Sequence, residues 1–194
     1  EDARLKLVAV NMTLGMGITM WIGAKVDREG AVTLPAKTFS ELVNNLAQGR
    51  VDLSLDEATQ KDLLECGTTR ANINGIDADE FPPVPEGTDA DFAVNGKALK
   101  EMINQTVFAA ATEDNRPILT GVLMQLEGRI ITMAAADGYR LAVRTLEIDH
   151  QFKNRLDLVI PSKSLEAVAR SILDENEDVL ITLPKDRDIV LFQT

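Results

Sequence analysis

The stretch VTLPAKTFSELV, residues 32–43, returns in diluted form as LVIPSKSLEAVA, residues 158–169. Superposed, Pro35 meets Pro161 and Lys37 meets Lys163, an offset of 161 − 35 = 126. The match runs outward in both directions. DLLECGT from Asp62 pairs with DIVLFQT from Asp188 at the same offset, 188 − 62 = 126. RLKLVAVN from Arg4 pairs with RIITMAAAD from Arg129 at 129 − 4 = 125, one residue of slippage in the intervening loops. Three anchors in one order with nearly constant spacing mark two copies of one unit, each longer than about 100 residues.

The repeated phrase changes period midway. Phe39, Leu42, Val43 and Leu46 fall at i, i+3, i+4 and i+7, the apolar stripe of an amphipathic helix, and Leu165, Val168, Ala169 and Ile172 repeat it. Pro35 and Pro161 suit a first helical turn, where no amide hydrogen is required, and they hold Leu34 and Ile160 extended. The phrase therefore predicts a strand running straight into a helix. Alternation of apolar and polar residues in RLKLVAV, GITMWIGAKV, RVDLSL, RIITMAA and RLAVRTLEI predicts strands with one buried face. A third amphipathic helix, NGKALKEMINQTVFAA, carries Leu99, Met102, Ile103 and Val107 on one side.

The copies are unequal at their ends. About 40 residues precede Arg129 within the second unit, against three before Arg4, and the first unit continues into RANING where the second reaches Thr194. This inequality predicts a piece of a longer repeated protein. Between the units lies GIDADEFPPVPEGTDAD, residues 75–91, whose prolines and acids read as an extended linker. The expected domains are 1–86 and 87–194, with the boundary near Pro85 to Thr88.

The 194 residues are 45% hydrophobic and 26% charged, enough for a real core, and contain no apolar run of the roughly 18 residues that a membrane span requires. No signal-peptide pattern opens the sequence, and the single Cys66 fits a reducing cytoplasm. A net charge of −11 argues at first against nucleic acid. The charge is unevenly spread, however. Residues 35–47, 95–109 and 161–173, the three helices, hold five basic and three acidic side chains, so they sum to +2 and leave −13 elsewhere. An acidic protein can thus present a mildly basic face to phosphates.

Catalytic material is sparse. His150 in EIDHQFK reads as a solvated loop residue, and one His with one Cys supports neither a zinc cluster nor a Ser-His-Asp triad. GMG at 15–17 is too short for a dinucleotide fingerprint. Asp77, Asp79 and Glu80 lack the glycine turn and distal Glu of a calcium loop and read as linker solvation. Cys66 reads as a small core residue beside a turn glycine. More informative is AAADGYRLAVR, where Asp137-Gly138 signals a hairpin turn. It presents Tyr139, Arg140 and Leu141 together, an aromatic, a guanidinium and an aliphatic group suited to lining a peptide-binding surface.

AADGYRLAV, preceded by NRPILTGVL, and with VTLPAKTFSELV and GIDADEFPPVP in the same order, resembles the bacterial DNA polymerase III beta subunit family of replicative sliding clamps. The resemblance implies an α+β DNA clamp fold: repeated domains with helices packed on one face of antiparallel sheets. It implies the C-terminal two-thirds of a first clamp domain in 1–86, most of a second in 87–194, and no third. It further implies a non-catalytic subunit of the DNA polymerase III holoenzyme, cytoplasmic and nucleoid-associated, without metal or cofactor. Such a protein encircles double-stranded DNA as a head-to-tail homodimer ring. Topology then holds the DNA and only weak, sequence-independent phosphate contacts are required, which answers the charge objection.

On that resemblance Lys37, Lys97, Lys100, Lys163 and Arg170 are candidates to face DNA. The family's peptide pocket on the second domain takes short linear motifs from the polymerase III alpha subunit, the clamp loader and repair polymerases. Its wall here would include Arg116, Leu119, Gly138, Tyr139, Arg140 and Leu141, with contributions from beyond Thr194. Ala136 and Tyr139 stand where many members have threonine and histidine. The alternative from another class is a duplicated α+β enzyme or small-molecule-binding protein that uses the acidic linker 77–80.

Overall fold

The computed structural model describes residues 4–85, 89–112, 116–183 and 189–194. Its contacts divide the chain into two compact units, one made of the residues up to Asn11 with Gly17–Pro85, the other of Met12–Met16 with the residues after Pro85. The expected linker boundary at Pro85 to Thr88 falls partly, and the Asp188 anchor wholly, outside the described residues.

In the first unit β1 (Arg4–Asn11) pairs with β2 (Met16–Gly23), α1 spans Ala36–Asn44, and β3 (Asp52–Asp56), β4 (Lys61–Cys66) and β5 (Thr69–Asn74) form an antiparallel sheet in that order. In the second, β6 (Phe92–Asn95) leads into α2 (Gly96–Asn104). A long hairpin follows from β7 (Gly121–Ala136) and β8 (Leu141–Pro161), then α3 (Ser162–Ser171), β9 (Asp178–Thr182) and β10 (Leu191–Gln193). The strands β10, β9 and β6 make an antiparallel sheet with β9 central. The repeat survives in the elements: α1 and α3 begin at 36 and 162, and β3 and β9 at 52 and 178, each pair 126 apart.

Pro35 and Pro161 stand at the N-cap, one position before the first turn, with extended ψ of 109° and 132°. The strand-to-helix junction is complete only in the second copy, where β8 ends at Pro161 against Ser162. In the first copy the expected strand is reduced to one bridge between Thr33 and Ile76, with N···O distances of 3.0 and 2.9 Å. The helix expected over 95–109 stops at Asn104. The Thr106 hydroxyl donates to the carbonyls of Met102 at 2.8 Å and Ile103 at 3.1 Å, and a separate 3-10 turn covers Val107–Ala109. Thr106 thereby offers the last carbonyls a partner other than a continuing helix. The linker also departs from a purely extended form, with a 3-10 turn over Ala78–Glu80.

The main core lies in the second unit. Leu99, Met102 and Ile103 of α2 join Leu165 and Ala169 of α3 over Met124, Leu126, Ile131 and Met133 of the hairpin and Val179 and Ile181 of β9. Small-to-tight packing recurs at Gly96, where a Cβ would come within 2.8 Å of the Glu177 carbonyl oxygen.

The first unit is different. The expectation of one buried face fails for β1, β2 and β3, none of whose residues is buried, and Met20 and Trp21 are exposed. The α1 stripe is only half covered, with Val43 42% exposed where its counterpart Ala169 is 4% exposed. The physical reason is a missing layer: among the described residues the first unit has one helix where the second has two. Its interior is a small group on β4 and β5, namely Leu64, Cys66 and Ile73.

Asp62 shares that interior. It is 3% exposed, is flanked across the ladder by Leu55 and Ile73, and one carboxylate oxygen has no hydrogen-bond partner, nor has the nearby buried amide oxygen of Gln60. Burial disfavours the charged form and raises its pKa. The folded chain therefore holds this proton more tightly than the unfolded chain. The stabilisation is present at pH below the ordinary carboxylate range and is lost as pH rises through the raised folded value. Asp62→Asn should stabilise the protein by about 1 kcal/mol at pH 7 and by less near pH 4, measured by denaturant titration of variant and parent at both pH values. An equal effect at both would show that Asp62 ionises alike in the two states.

Candidate functional site

The turn joining β7 to β8 organises the first candidate surface. Gly138 takes φ +95°, which a side chain would oppose, and Ala136 pairs with Leu141 across the turn. One Asp137 oxygen accepts the backbone amides of Tyr139 at 2.9 Å and Arg140 at 3.0 Å, while the other accepts Arg140 Nε at 2.9 Å. The two amides, and then the guanidinium, hold the Asp137 carboxyl below the usual carboxylate range. This web turns the side chains outward: Tyr139 is fully exposed and Leu141 is 69% exposed.

A second segment meets the turn. Residues Pro117–Thr120 form a 3-10 turn, tied by Leu119 N to the Arg116 carbonyl at 2.9 Å and by Ala111 N to the Leu119 carbonyl at 2.8 Å. Arg116 Nη1 lies 3.5 Å from the position a Cβ would occupy on Gly138, so the guanidinium lies over the glycine. Arg116 and Gly138 are thus brought together, with Leu119 half-buried in the adjoining turn. Sequence reasoning missed Phe108 and Ile118, exposed apolar residues of these segments, and the Arg140 guanidinium carbon sits 5.8 Å from the Phe108 ring centroid. The signal for Phe108 was hidden because QTVFAA reads as helix, whereas the chain leaves the helix before it.

Apolar groups rimmed by two guanidiniums can take a short peptide. The exposed Ile118, Tyr139 and Leu141 offer area for aliphatic or aromatic side chains, and the arginines offer donors to carbonyls or a carboxylate.

The basic candidates lie on helices of both units, Lys37 on α1 of the first and the other four on α2 and α3 of the second. Asn95 caps α2, its side chain accepting Ala98 N at 3.2 Å. Lys97 and Lys163 are exposed, Lys37 approaches Glu41 at 3.9 Å, and Arg170 approaches Glu166 at 3.8 Å. Such loose exposed pairs are worth at most about 1 kcal/mol and exchange readily for a phosphate. Lys100 is used differently. Its ammonium donates to the Ile172 carbonyl at 3.3 Å and pairs with Glu175 at 2.8 Å, pinning α2 to the segment after α3 and lowering the Glu175 pKa. Four of the five basic candidates therefore present free-standing or loosely paired charges.

The remaining candidates have structural places. His150 belongs to β8, not to a loop, and packs half-buried with ring centroids 5.6 Å from Phe92 and 4.7 Å from Phe152. The pairing of β8 with β7 brackets these residues, with Phe152 opposite Gly128 and Glu147 opposite Ile130, and the register shifts between them. Cys66 is buried, its Sγ 3.5 Å from the Ala47 carbonyl oxygen. Asp77 accepts Asp79 N at 2.9 Å as the cap of its turn. Among the described residues no three His, Cys, Asp or Glu side chains gather to hold a metal.

Comparison with known proteins assigns both units. Residues 1–85 match the model of the DNA polymerase III beta subunit N-terminal domain, and residues 93–193 match that of its central domain. The beta sliding clamp of Halalkalibacterium halodurans is 38% identical over 162 residues, covering 80% of this chain and 41% of that protein. The beta sliding clamp of Bacillus subtilis is 34% identical over 170 residues, covering 87% and 43%. Among solved structures, a DNA polymerase III beta subunit from Eubacterium rectale superposes with a TM-score of 0.85 at 30% identity, covering 99% of this chain and 52% of that one. The DNA polymerase III subunit beta of Pseudomonas aeruginosa gives 0.86 at 26% identity, covering 100% and 53%. The chain thus spans about half the length of these relatives or somewhat less. With both units matched in order, and with helices and antiparallel sheets repeated as the clamp fold requires, the chain belongs to the DNA polymerase III beta subunit family.

Proposed function

We propose that this chain is the N-terminal and central part of a sliding clamp, a non-catalytic processivity factor that encircles duplex DNA and tethers the replicative polymerase. The observation that carries this reading is the match of its two units, in sequence order, to the N-terminal and central domains of the family. The working form is a head-to-tail homodimer ring acting in the bacterial cytoplasm at the nucleoid. No helix among the described residues is long and apolar enough to cross a membrane.

The helices contact DNA, α1 of the first unit through Lys37 and α2 and α3 of the second through Lys97, Lys163 and Arg170, with Lys100 holding α2 in place and adding charge. Contacts of this kind are sequence-independent and sensitive to salt. The central-domain surface of Arg116, Leu119, Gly138, Tyr139, Arg140 and Leu141 receives short linear motifs of the polymerase III alpha subunit, clamp loader and repair polymerases. Domains 1–86 and 87–194 divide these tasks only in part, since both supply basic helix residues.

The test is retention of the full-length, loaded protein on nicked circular DNA. Lys163→Glu with Arg170→Glu should shorten retention and reduce the logarithmic salt slope by about 2, with unchanged thermal unfolding. Rapid loss from linear but not circular DNA should persist in both proteins. Equal retention would remove these residues from the DNA face, and equal loss from both DNA forms would remove the ring reading.

A further inference from the structure

We infer that Asp137 and Phe108 are positioning residues of the peptide surface, acting together to set the Arg140 guanidinium for an incoming peptide acceptor. This rests on the peptide-surface reading above and adds to it two residues that present the arginine.

The geometry divides the work of Asp137 between its two oxygens. Oδ1 closes the turn by accepting Tyr139 N and Arg140 N at 2.9 and 3.0 Å. Oδ2 accepts Arg140 Nε at 2.9 Å. A guanidinium held through Nε leaves the four N–H donors of its two terminal nitrogens still to give. Phe108 supports the same group from another direction, the guanidinium carbon lying 5.8 Å from its ring centroid, within cation–π range. The Arg140 side chain is nevertheless 54% exposed, whereas that of Asp137 is 19% exposed. The arrangement therefore fixes a long, otherwise mobile side chain before any ligand arrives, and ordering done in advance is not charged against binding. Since the surface otherwise offers apolar groups and the Arg116 guanidinium, a second donor, the acceptor is a backbone carbonyl or carboxylate of an extended peptide with apolar side chains.

The two roles of Asp137 separate by chemistry. Asp137→Asn keeps an acceptor oxygen for the two turn amides and replaces the oxygen facing Nε with an NH2 group. Calorimetry with the polymerase C-terminal tail peptide on the full-length protein should show about fivefold weaker binding for Asp137→Asn and about threefold for Phe108→Leu. Neither substitution should matter in an Arg140→Ala background. A loss of equal size in both backgrounds would place Asp137 in turn geometry alone and overturn the inference, as would no loss at all. Weakening by Leu119→Asp without weakening by Arg140→Ala would overturn it while leaving the peptide surface standing. If neither of those two substitutions weakens binding, the peptide-surface reading itself falls. A ligand-free readout stands beside these: the Arg140 Nε–H resonance should be resolved and slow to exchange in the parent and be lost in Asp137→Asn, and its absence from the parent would count against the inference.

Discussion

Leu165→Ala should lower the unfolding free energy of the second unit by about 3 kcal/mol, whereas Phe39→Ala, at the matching place in the repeat, should cost about 1 kcal/mol in this 194-residue chain. The two positions share one periodic stripe, yet their surroundings differ. Leu165 is 0% exposed and sits among α2, α3 and the β7–β8 hairpin, so truncation removes apolar transfer energy and leaves a cavity that close-packed neighbours fill only partly. Phe39 is half-buried on a helix with no fully buried residue, so much of its side chain already meets solvent. Denaturant titration followed by circular dichroism would compare the variants. Each unit has its own contacts, and the data call for fitting with two transitions. Equal losses would show that α1 packs as tightly as α3.

The largest functional effect is expected at Leu119. Leu119→Asp should weaken binding of a polymerase-tail peptide by about 100-fold, or about 2.7 kcal/mol, in calorimetry on the full-length protein. The side chain is half-buried in the Pro117–Thr120 turn, with its backbone N–H and C=O already bonded to Arg116 and Ala111. The substitution therefore changes the exposed face and leaves the turn's hydrogen bonds intact. A carboxylate there must lose water when an apolar peptide side chain covers it, and it also draws on the Arg116 and Arg140 charges that an acceptor would use. Unchanged affinity with unchanged circular dichroism would exclude Leu119 from the binding surface.

The amino-acid sequence alone determined the duplication, its offset, the three helices and the DG turn. These depend on local periodicity and on residues with narrow backbone preferences, such as proline beside a helix and glycine at positive φ. Tyr139, Arg140 and Leu141 stood out as candidates because they follow that turn, whereas Arg116 and Leu119 became candidates only through the family resemblance of NRPILTGVL. Tertiary structure decided which apolar stripes are buried. The Phe39 stripe and the Leu165 stripe look alike in sequence, but burial depends on the element that covers them, and only α3 has α2 beside it among the described residues. It also decided the fate of individual polar groups. Lys100 became a tie to Glu175 and Ile172, Asp62 a buried carboxyl with one oxygen unpaired, His150 a partner of two phenylalanines, and Asp137 the holder of Arg140. None of these follows from periodicity, because hydrogen bonds and desolvation are set at ångström distances by groups that, for Lys100 and His150, are remote in the chain.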